Sequence, residues 1–563
     1  MNKFVNLFLL VGLLATSCQS GNQETGDVNT VMNEYGGQVI GRPLIPFTQK
    51  TKTFIRKIHP YAVVWHEPEN VEVKQYRILV YYDNTVVKDA YTSECSYDLT
   101  QVWKQIPQGY FFICLFAEDV NQELVAASVV LSVFKASDFI REKLNPRVAY
   151  EEAARKTLNW LMNYKADMSI PHNQETVFAP DEPIALNHIW VGLSNGKVDG
   201  RLYPGQHSHL WINTYLKAYN RYQETDPDFA RACLAFAEKY AKKALKESVF
   251  PDGFVYEHLI AQMTGEGKSA AFRWAKYWPG GPLEYICAPP FSGMIGSSFI
   301  KLYQATGKEI YREASIRIAE TLKKTQKEDG SWSYYVNAKT GEVYYDYTSV
   351  NSMAAVFFDE VIKSFPDLEP KYKEARDKSW KWVFENPVQT MRWENQFADV
   401  KPHKPYEDIG GFDTWWFTQY LLDNYSDDPD MVATAEKLLR HLEDNFVYFK
   451  PDHFATGYRG SYADFICPCV GEQHGYPYTM GWGTAEWTRV CFKLWHATQN
   501  KEYLDKARAG AAVLTYGLSD EGIMLTYSVD RVSGQSGKPR DDLWLNCALN
   551  PAMAWMELSD LSY

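Results

Sequence analysis

From about Ser137 onward, apolar residues recur at helical spacing, and one short signature keeps returning. An aromatic or aliphatic residue is followed three positions later by Ala, at Tyr150/Ala153, Phe229/Ala232, Tyr311/Ala314, Tyr372/Ala375, Val432/Ala435 and Leu504/Ala507. The interval is roughly 60 to 80 residues, enough for two helices and their loops. Several copies open on Asp226-Pro227-Asp228, Asp428-Pro429-Asp430 or Asn500-Lys501-Glu502, which are cap and first-turn residues. Turns follow, clearest at Asp252-Gly253, Asp329-Gly330 and Glu521-Gly522. After each turn come a variable loop and a more apolar helix, starting near His207, Phe291, Thr348, Phe412, Met480 and Leu543. Six pairs, one helix amphipathic and the other nearly all apolar, predict an (α/α)6 toroid over 145–563. An open solenoid would need a polar capping repeat, and none is evident. The toroid should hold at most one sheet.

Residues 42–136 lack helical period. Short β-rich runs occur at 62–65, 76–82, 110–116 and 129–134, separated by turn residues such as Asp83-Asn84. This spacing predicts a β-sandwich. The stretch Trp103-Lys104-Gln105-Ile106-Pro107-Gln108-Gly109-Tyr110 resembles the strand-turn-strand signature of fibronectin III-like modules. The predicted fold is therefore a multidomain α and β chain, a fibronectin III-like sandwich followed by an (α/α)6 toroid.

The first residues read differently again. Lys3 and the short apolar run Leu7 to Ala15 form an export signal, too short to span a bilayer. Leu14-Ala15-Thr16-Ser17-Cys18 resembles a bacterial lipobox, which implies cleavage after residue 17 and lipidation at Cys18. Residues 18–41 are polar and read as a tether. The expected location is the cell envelope, with an outer-membrane lipid anchor.

Composition narrows the function. A net charge of −12 argues against a nucleic-acid partner. Aromatic residues make up 15%, with 18 Trp and 38 Tyr. Sugars offer apolar C–H faces to such rings, so an oligo- or polysaccharide substrate fits. Eight cysteines besides Cys18 are scattered and form no dense disulfide framework. Cys467-Pro468-Cys469, with Glu472 and His474, has metal-ligand types but not the usual zinc spacing, so no metal is expected. No nucleotide or other cofactor motif appears.

The repeated pairs, the Asp-Gly turns and Gly330-Ser331-Trp332 resemble the six-hairpin glycosidase superfamily, which includes unsaturated glucuronyl hydrolases and the β-glucuronidases of glycoside hydrolase family 154. With the lipobox and sandwich, the layout is similar to glycan-utilisation lipoproteins of Bacteroidetes. The resemblance covers 145–563 as architecture, and implies a glycosidase, with glucuronidase as one form. It supplies no motif from which a catalytic residue carries over.

In such a toroid the inner helices begin around one mouth. Hydrolysis of a glycoside needs two carboxyls, one protonated and one ionised. Asp413, in Gly410-Gly411-Phe412-Asp413-Thr414-Trp415-Trp416, is the leading catalytic carboxylate, with an N-cap role as its bland alternative. Asp346, between Tyr345 and Tyr347, is the expected protonated partner, because aromatic burial favours the neutral acid. Glu472 is the third catalytic candidate. Expected substrate-binding residues are His207, His209, Tyr347, Trp415, Trp416, Tyr478, Trp482 and Arg540, the arginine for a uronate. Arg459, in Tyr458-Arg459-Gly460, is a second arginine for that carboxylate, and Glu486 lies in the same fifth segment as Trp482. Two rivals remain open at this point: a polysaccharide lyase working by β-elimination, and a glycan-binding lipoprotein without catalysis.

Overall fold

A computed structural model describes residues 55–65, 67, 72–83, 85–127, 131–139, 144–165, 183–186, 190–192, 198–199, 204–261, 285–346, 350–393, 409–452, 466–473, 476–526 and 542–561. Cys18, Tyr347, Arg459, His474 and Arg540 lie outside these residues, as do the export signal and tether. The chain separates into two compact units, with the division at Asp138/Phe139.

Among its described residues the first unit holds two sheets. The larger has the order β1-β8-β6-β3-β4, with β7 (Leu124–Ala127) paired to β6. Its strands are β1 (Ile55–Lys57), β3 (Gln75–Tyr82), β4 (Thr85–Thr92), β6 (Gly109–Glu118) and β8 (Leu131–Lys135). The smaller pairs β2 (Ala62–Val64) with β5 (Ser96–Asp98). β1 runs parallel to β8, whereas the other pairings are antiparallel. Alternate residues of both sheets, such as Val63, Ile78, Val80, Phe111 and Ile113, bury one core. Trp103 closes it from the turn Thr100–Trp103, donating from its indole to the Ile58 carbonyl at 3.0 Å.

The second unit carries twelve helices among its described residues. They are α1 (Tyr150–Asn163), α2 (Pro204–Tyr222), α3 (Pro227–Glu247), α4 (Pro289–Thr306), α5 (Glu309–Thr325), α6 (Asn351–Ser364), α7 (Glu369–Val383), α8 (Phe412–Asn424), α9 (Pro429–Phe446), α10 (Gly481–Thr498), α11 (Lys501–Leu514) and α12 (Leu549–Leu558). Even-numbered helices form an inner ring: each packs on the next, and α12 returns to α2. Odd-numbered helices lie outside. The ring is closed at a second level too. β17 (Asp542–Trp544) pairs with β9 (Trp190–Gly192), joining the last repeat to the first.

Local chemistry sets the outer helices. Asp226 caps α3 by accepting from the Phe229 amide at 3.1 Å, and Asp428 caps α9 by accepting from Asp430 at 2.9 Å. A cap of this kind is worth about 1 kcal/mol. The small buried residue that lets an outer helix approach its neighbours falls seven positions after the N-cap: Cys233, Ser315, Ala375, Ala435 and Ala507 in α3, α5, α7, α9 and α11. The Ala spacing read from sequence therefore fits α7, α9 and α11. It is one residue out of register in α3 and α5, where Ala232 is exposed and Ala314 half-buried.

Two turn glycines repeat one geometry. Gly330 and Gly522 have φ of 95° and 96°, and a Cβ on either would stand 2.5 Å from a backbone carbonyl oxygen, that of Lys378 and of Lys156. Each turn thus tucks against the next outer helix, α5 to α7 and α11 back to α1. A side chain would exclude both the dihedral and the contact.

One expectation is corrected. Among its described residues the toroid holds three small sheets rather than at most one: β9 with β10 (Val198–Asp199) and β17; β11 (Ile286–Cys287) with β12 (Tyr335–Asn337) and β13 (Val343–Tyr345); β14 (Val447–Tyr448) with β15 (Cys469–Gln473) and β16 (Tyr476–Thr479). All of these strands lie in outer-to-inner connections. Those connections are long, whereas the inner-to-outer ones are short turns at 223–226, 307–308, 365–368, 425–428 and 499–500. Long segments must satisfy their own backbone groups, and short ladders do so.

Candidate active site

The rim formed by the first turns of the inner helices gathers residues from α2, α8, α10 and α12. Phe412, the first residue of α8, meets the His209 ring edge-on at 6.0 Å and the Trp482 ring at 5.9 Å. His209 and Trp482 are buried. His207, two residues earlier and on another face of α2, places Nε2 3.5 Å from the Asn546 side-chain nitrogen, just ahead of α12. Burial pushes the His207 imidazole down to about 3, so it is neutral across ordinary pH. It serves there as a neutral hydrogen-bonding group, not as a proton donor of ordinary strength.

Asp413 is 1% exposed and sits in the first turn of α8. Gly411, not Asp413, occupies the N-cap position. The capping alternative for Asp413 therefore does not hold. An isolated bridge pairs Gly410 with Gln473. That bridge sets the segment entering α8 beside the end of β15, which carries Glu472. Glu472 is half-buried, and its charge, after burial, raises the Cys547 thiol, so it also lies near the start of α12. Tyr478 is half-buried on β16 of the same sheet.

Two expected residues stand elsewhere. Asp346 follows β13, is 58% exposed in its side chain and pairs with Lys327 at 2.9 Å. The aromatic burial that singled it out as the protonated acid is absent, because the hairpin end turns the carboxylate outward. Trp415 is 1% exposed and lies against Gly411, where a Cβ would stand 2.7 Å from its indole nitrogen. It belongs to the packing of α8 and not to a sugar-facing wall. Trp416, one residue on, faces the axis and stacks on Tyr420 at 6.3 Å between ring centres.

Beneath the rim a cavity of 1120 Å³ runs down the ring. Phe412, Trp416, Gln419, Tyr420 and Asp423 line it from α8, at the spacing of one helical face. Asp413 is set off that face by one residue. At mid-depth Glu486 accepts from Arg489 at 3.0 Å and from the amides of Gln419 and Asn550. Arg489 also donates to Glu557, which Lys217 approaches at 3.0 Å. The guanidinium and ammonium groups hold the Glu557 carboxyl well below the usual carboxylate range, against its burial. Sequence reading of the entering segments reached Glu486 but missed the others. Their signal was a polar stripe on otherwise apolar helices: Asn213, Lys217 and Asn220 on α2, and Glu486 and Arg489 on α10.

Among the described residues one group of metal-ligand types, Asp252, Glu257 and His258, lies together near the surface. Glu257 is already engaged there by the Gly253 amide at 3.0 Å and by Lys324 at 3.3 Å. The Cys467 and Cys469 sulfurs are 4.0 Å apart. Neither group reaches the rim residues in any contact described above.

No known protein family matches the chain by sequence, and no curated protein is similar to it at a significant level. Solved structures do show a likeness. A family 76 glycoside hydrolase from a bovine Bacteroides thetaiotaomicron strain is 11% identical, with 89% of this chain and 96% of that one covered and a TM-score of 0.46. Cellobiose 2-epimerase from Spirochaeta thermophila is 13% identical over 72% of this chain and 96% of its own, with a TM-score of 0.45. A polysaccharide lyase is 10% identical over 90% and 63%, with a TM-score of 0.42. At such identities and scores these likenesses add nothing to what the closed helical ring already says about fold.

Proposed function

We propose that the chain is an exported glycoside hydrolase acting on a uronic-acid-containing glycan, with Asp413 and Glu472 as its carboxyl pair. The observation that supports this reading is the Gly410–Gln473 bridge, which pairs the segment entering α8, three residues before Asp413, with the strand of the next repeat that carries Glu472. Phe412, next to Asp413 in the chain, meets the Trp482 ring edge-on, and the neutral imidazole of His207 lies beside Asn546 ahead of α12. Hydrolysis proceeds when one carboxyl gives its proton to the leaving oxygen and the other stabilises or attacks the anomeric carbon, directly or through water. Asp413 is the ionised member, favoured by the helix N-terminus, and Glu472 is the acid. Arg540 is the partner of the uronate. The reading extends to the rest of the chain: Cys18 as lipid anchor to the outer membrane, and the N-terminal unit as a fibronectin III-like module in a six-hairpin glycosidase.

The test is an activity screen with aryl β-glucuronide, unsaturated uronate disaccharides and acidic polysaccharides. Release of reducing ends without new ultraviolet absorbance supports hydrolysis. Absorbance from a new C=C bond would replace the reading with β-elimination. Binding without any product would leave a glycan-binding protein.

A further inference from the structure

The axial cavity opens at the end of the ring opposite the rim. Its deep lining is buried: His209, Gln419, Glu486 and Asn550 are each 5% exposed or less. Exposure rises along the helices to Lys301 and then to Asn220, Gln304, Asp423 and Asn424 in the last turns of α2, α4 and α8, beside the short connections. We propose that this rear opening leads to a second carbohydrate site, which takes a neutral oligosaccharide of two or three sugars.

Charge selects a neutral ligand. The lining carboxylates are matched by cations: Glu486 and Glu557 by Arg489, Glu557 also by Lys217, Glu360 by Lys301, Asp560 by Arg221 and Asp423 by Lys493. Paired charges leave little net field to attract an ion, yet their oxygens still accept hydrogen bonds. The wall offers both kinds of polar group: Lys217, Asn220, Lys301, Gln304 and Asn424 can donate, the paired carboxylates accept, and sugar hydroxyls do both. The stacked pair Trp416 and Tyr420 gives the aromatic surface that a sugar's C–H face needs. Size then sets the length. The cavity, at 1120 Å³, exceeds the range of about 300–1000 Å³ usual for small-molecule sites. A single sugar would leave most of it to water.

The site is tested on the full chain by calorimetry with maltotriose, mannotriose and trigalacturonate. Ala305 lines the opening and is half-buried in the last turn of α4, so Ala305→Trp narrows the entrance without entering the core. Asn220→Trp, at an exposed position on α2, is the second obstruction should the first variant fold poorly. We expect a neutral trisaccharide to bind, at least tenfold more weakly in either tryptophan variant and unchanged in Asp413→Asn. Loss in Asp413→Asn with retention in both tryptophan variants would place all binding at the rim and overturn the proposal. So would tighter binding of trigalacturonate, or no binding of either neutral sugar, which would leave the cavity to water alone.

Discussion

Arg489 of α10 donates to Glu557 of α12 at 3.0 Å while its other terminal nitrogen donates to Glu486 at 3.0 Å. One guanidinium thus bridges two carboxylates inside the ring, with Lys217 supplying the second positive charge, and the three bridged side chains are at most 13% exposed. Arg489→Met fills similar space but leaves both carboxylates without it. Removing one partner of a buried pair costs about 3–5 kcal/mol. Lys217 still serves Glu557, so the expected loss is near 3 kcal/mol, read as a lower urea midpoint with unchanged slope. A loss under about 0.5 kcal/mol, the range of an ordinary surface change, would mean the network carries little of the ring's stability.

His207 gives a pH signature. Its imidazole is held down to about 3 in the fold, against 6.5 when free. Between those values the unfolded chain binds a proton there that the native chain does not. Stability therefore falls as pH drops through that window, by the slope of one proton. His207→Asn removes the term. Urea unfolding from pH 7.5 to 4 should show a shallower decline in the variant than in the parent. Parallel curves would show that His207 is not buried as a neutral ring.

Gly296 tests the inner ring. A Cβ at this position of α4 would run into the Phe357 ring of α6, and one at Gly293 would stand 3.2 Å from the Ala354 backbone. Gly296→Ala improves helix propensity, by about 1 kcal/mol, yet overpacking a tight contact costs about 1–3 kcal/mol. Net destabilisation is expected, relieved in the double variant Gly296→Ala/Phe357→Leu. A more stable single variant would show the two helices free to separate.

How far the sequence was legible follows from what each signal measures. Hydrophobic period located two inner helices closely, since Phe412 and Met480 were expected starts and α8 and α10 begin at Phe412 and Gly481, but the start expected near Leu543 falls in a strand and α12 begins at Leu549. Period also shows Asn213, Lys217 and Asn220 on one face, but attention to the entering segments passed over that stripe. The strand Thr85–Thr92 was not foreseen because it is a polar edge, with Val86 45% and Tyr91 52% exposed. Asp346 was misread for a related reason. Neighbours along an extended segment point to opposite sides, so a tyrosine next to it in sequence says nothing about an aspartate's own burial. Asp413 was legible as a first-turn aspartate, whereas the bridge that sets its segment beside β15 is a long-range pairing that no local pattern encodes.

Asp413→Asn decides the proposed chemistry. The change is nearly isosteric and removes the negative charge from a residue 1% exposed. Since Gly411 holds the N-cap, the substitution leaves capping untouched, and a change in activity cannot be assigned to a frayed helix. Loss of a general acid or base lowers turnover by about 10²–10⁴-fold. We expect at least ~10²-fold loss for Asp413→Asn with an unchanged circular dichroism spectrum, and a similar loss for Glu472→Gln. The pair predicts more than either alone. An ionised nucleophile or base and a protonated acid act in one transition state, so the double variant should be little worse than the single ones. Asp346→Asn, exposed and paired only to Lys327 by the contacts described, should keep its turnover. A fully active, normally folded Asp413→Asn protein would remove Asp413 from the chemistry. Full activity in Glu472→Gln with loss in Asp346→Asn would return the acid role to the β13 hairpin.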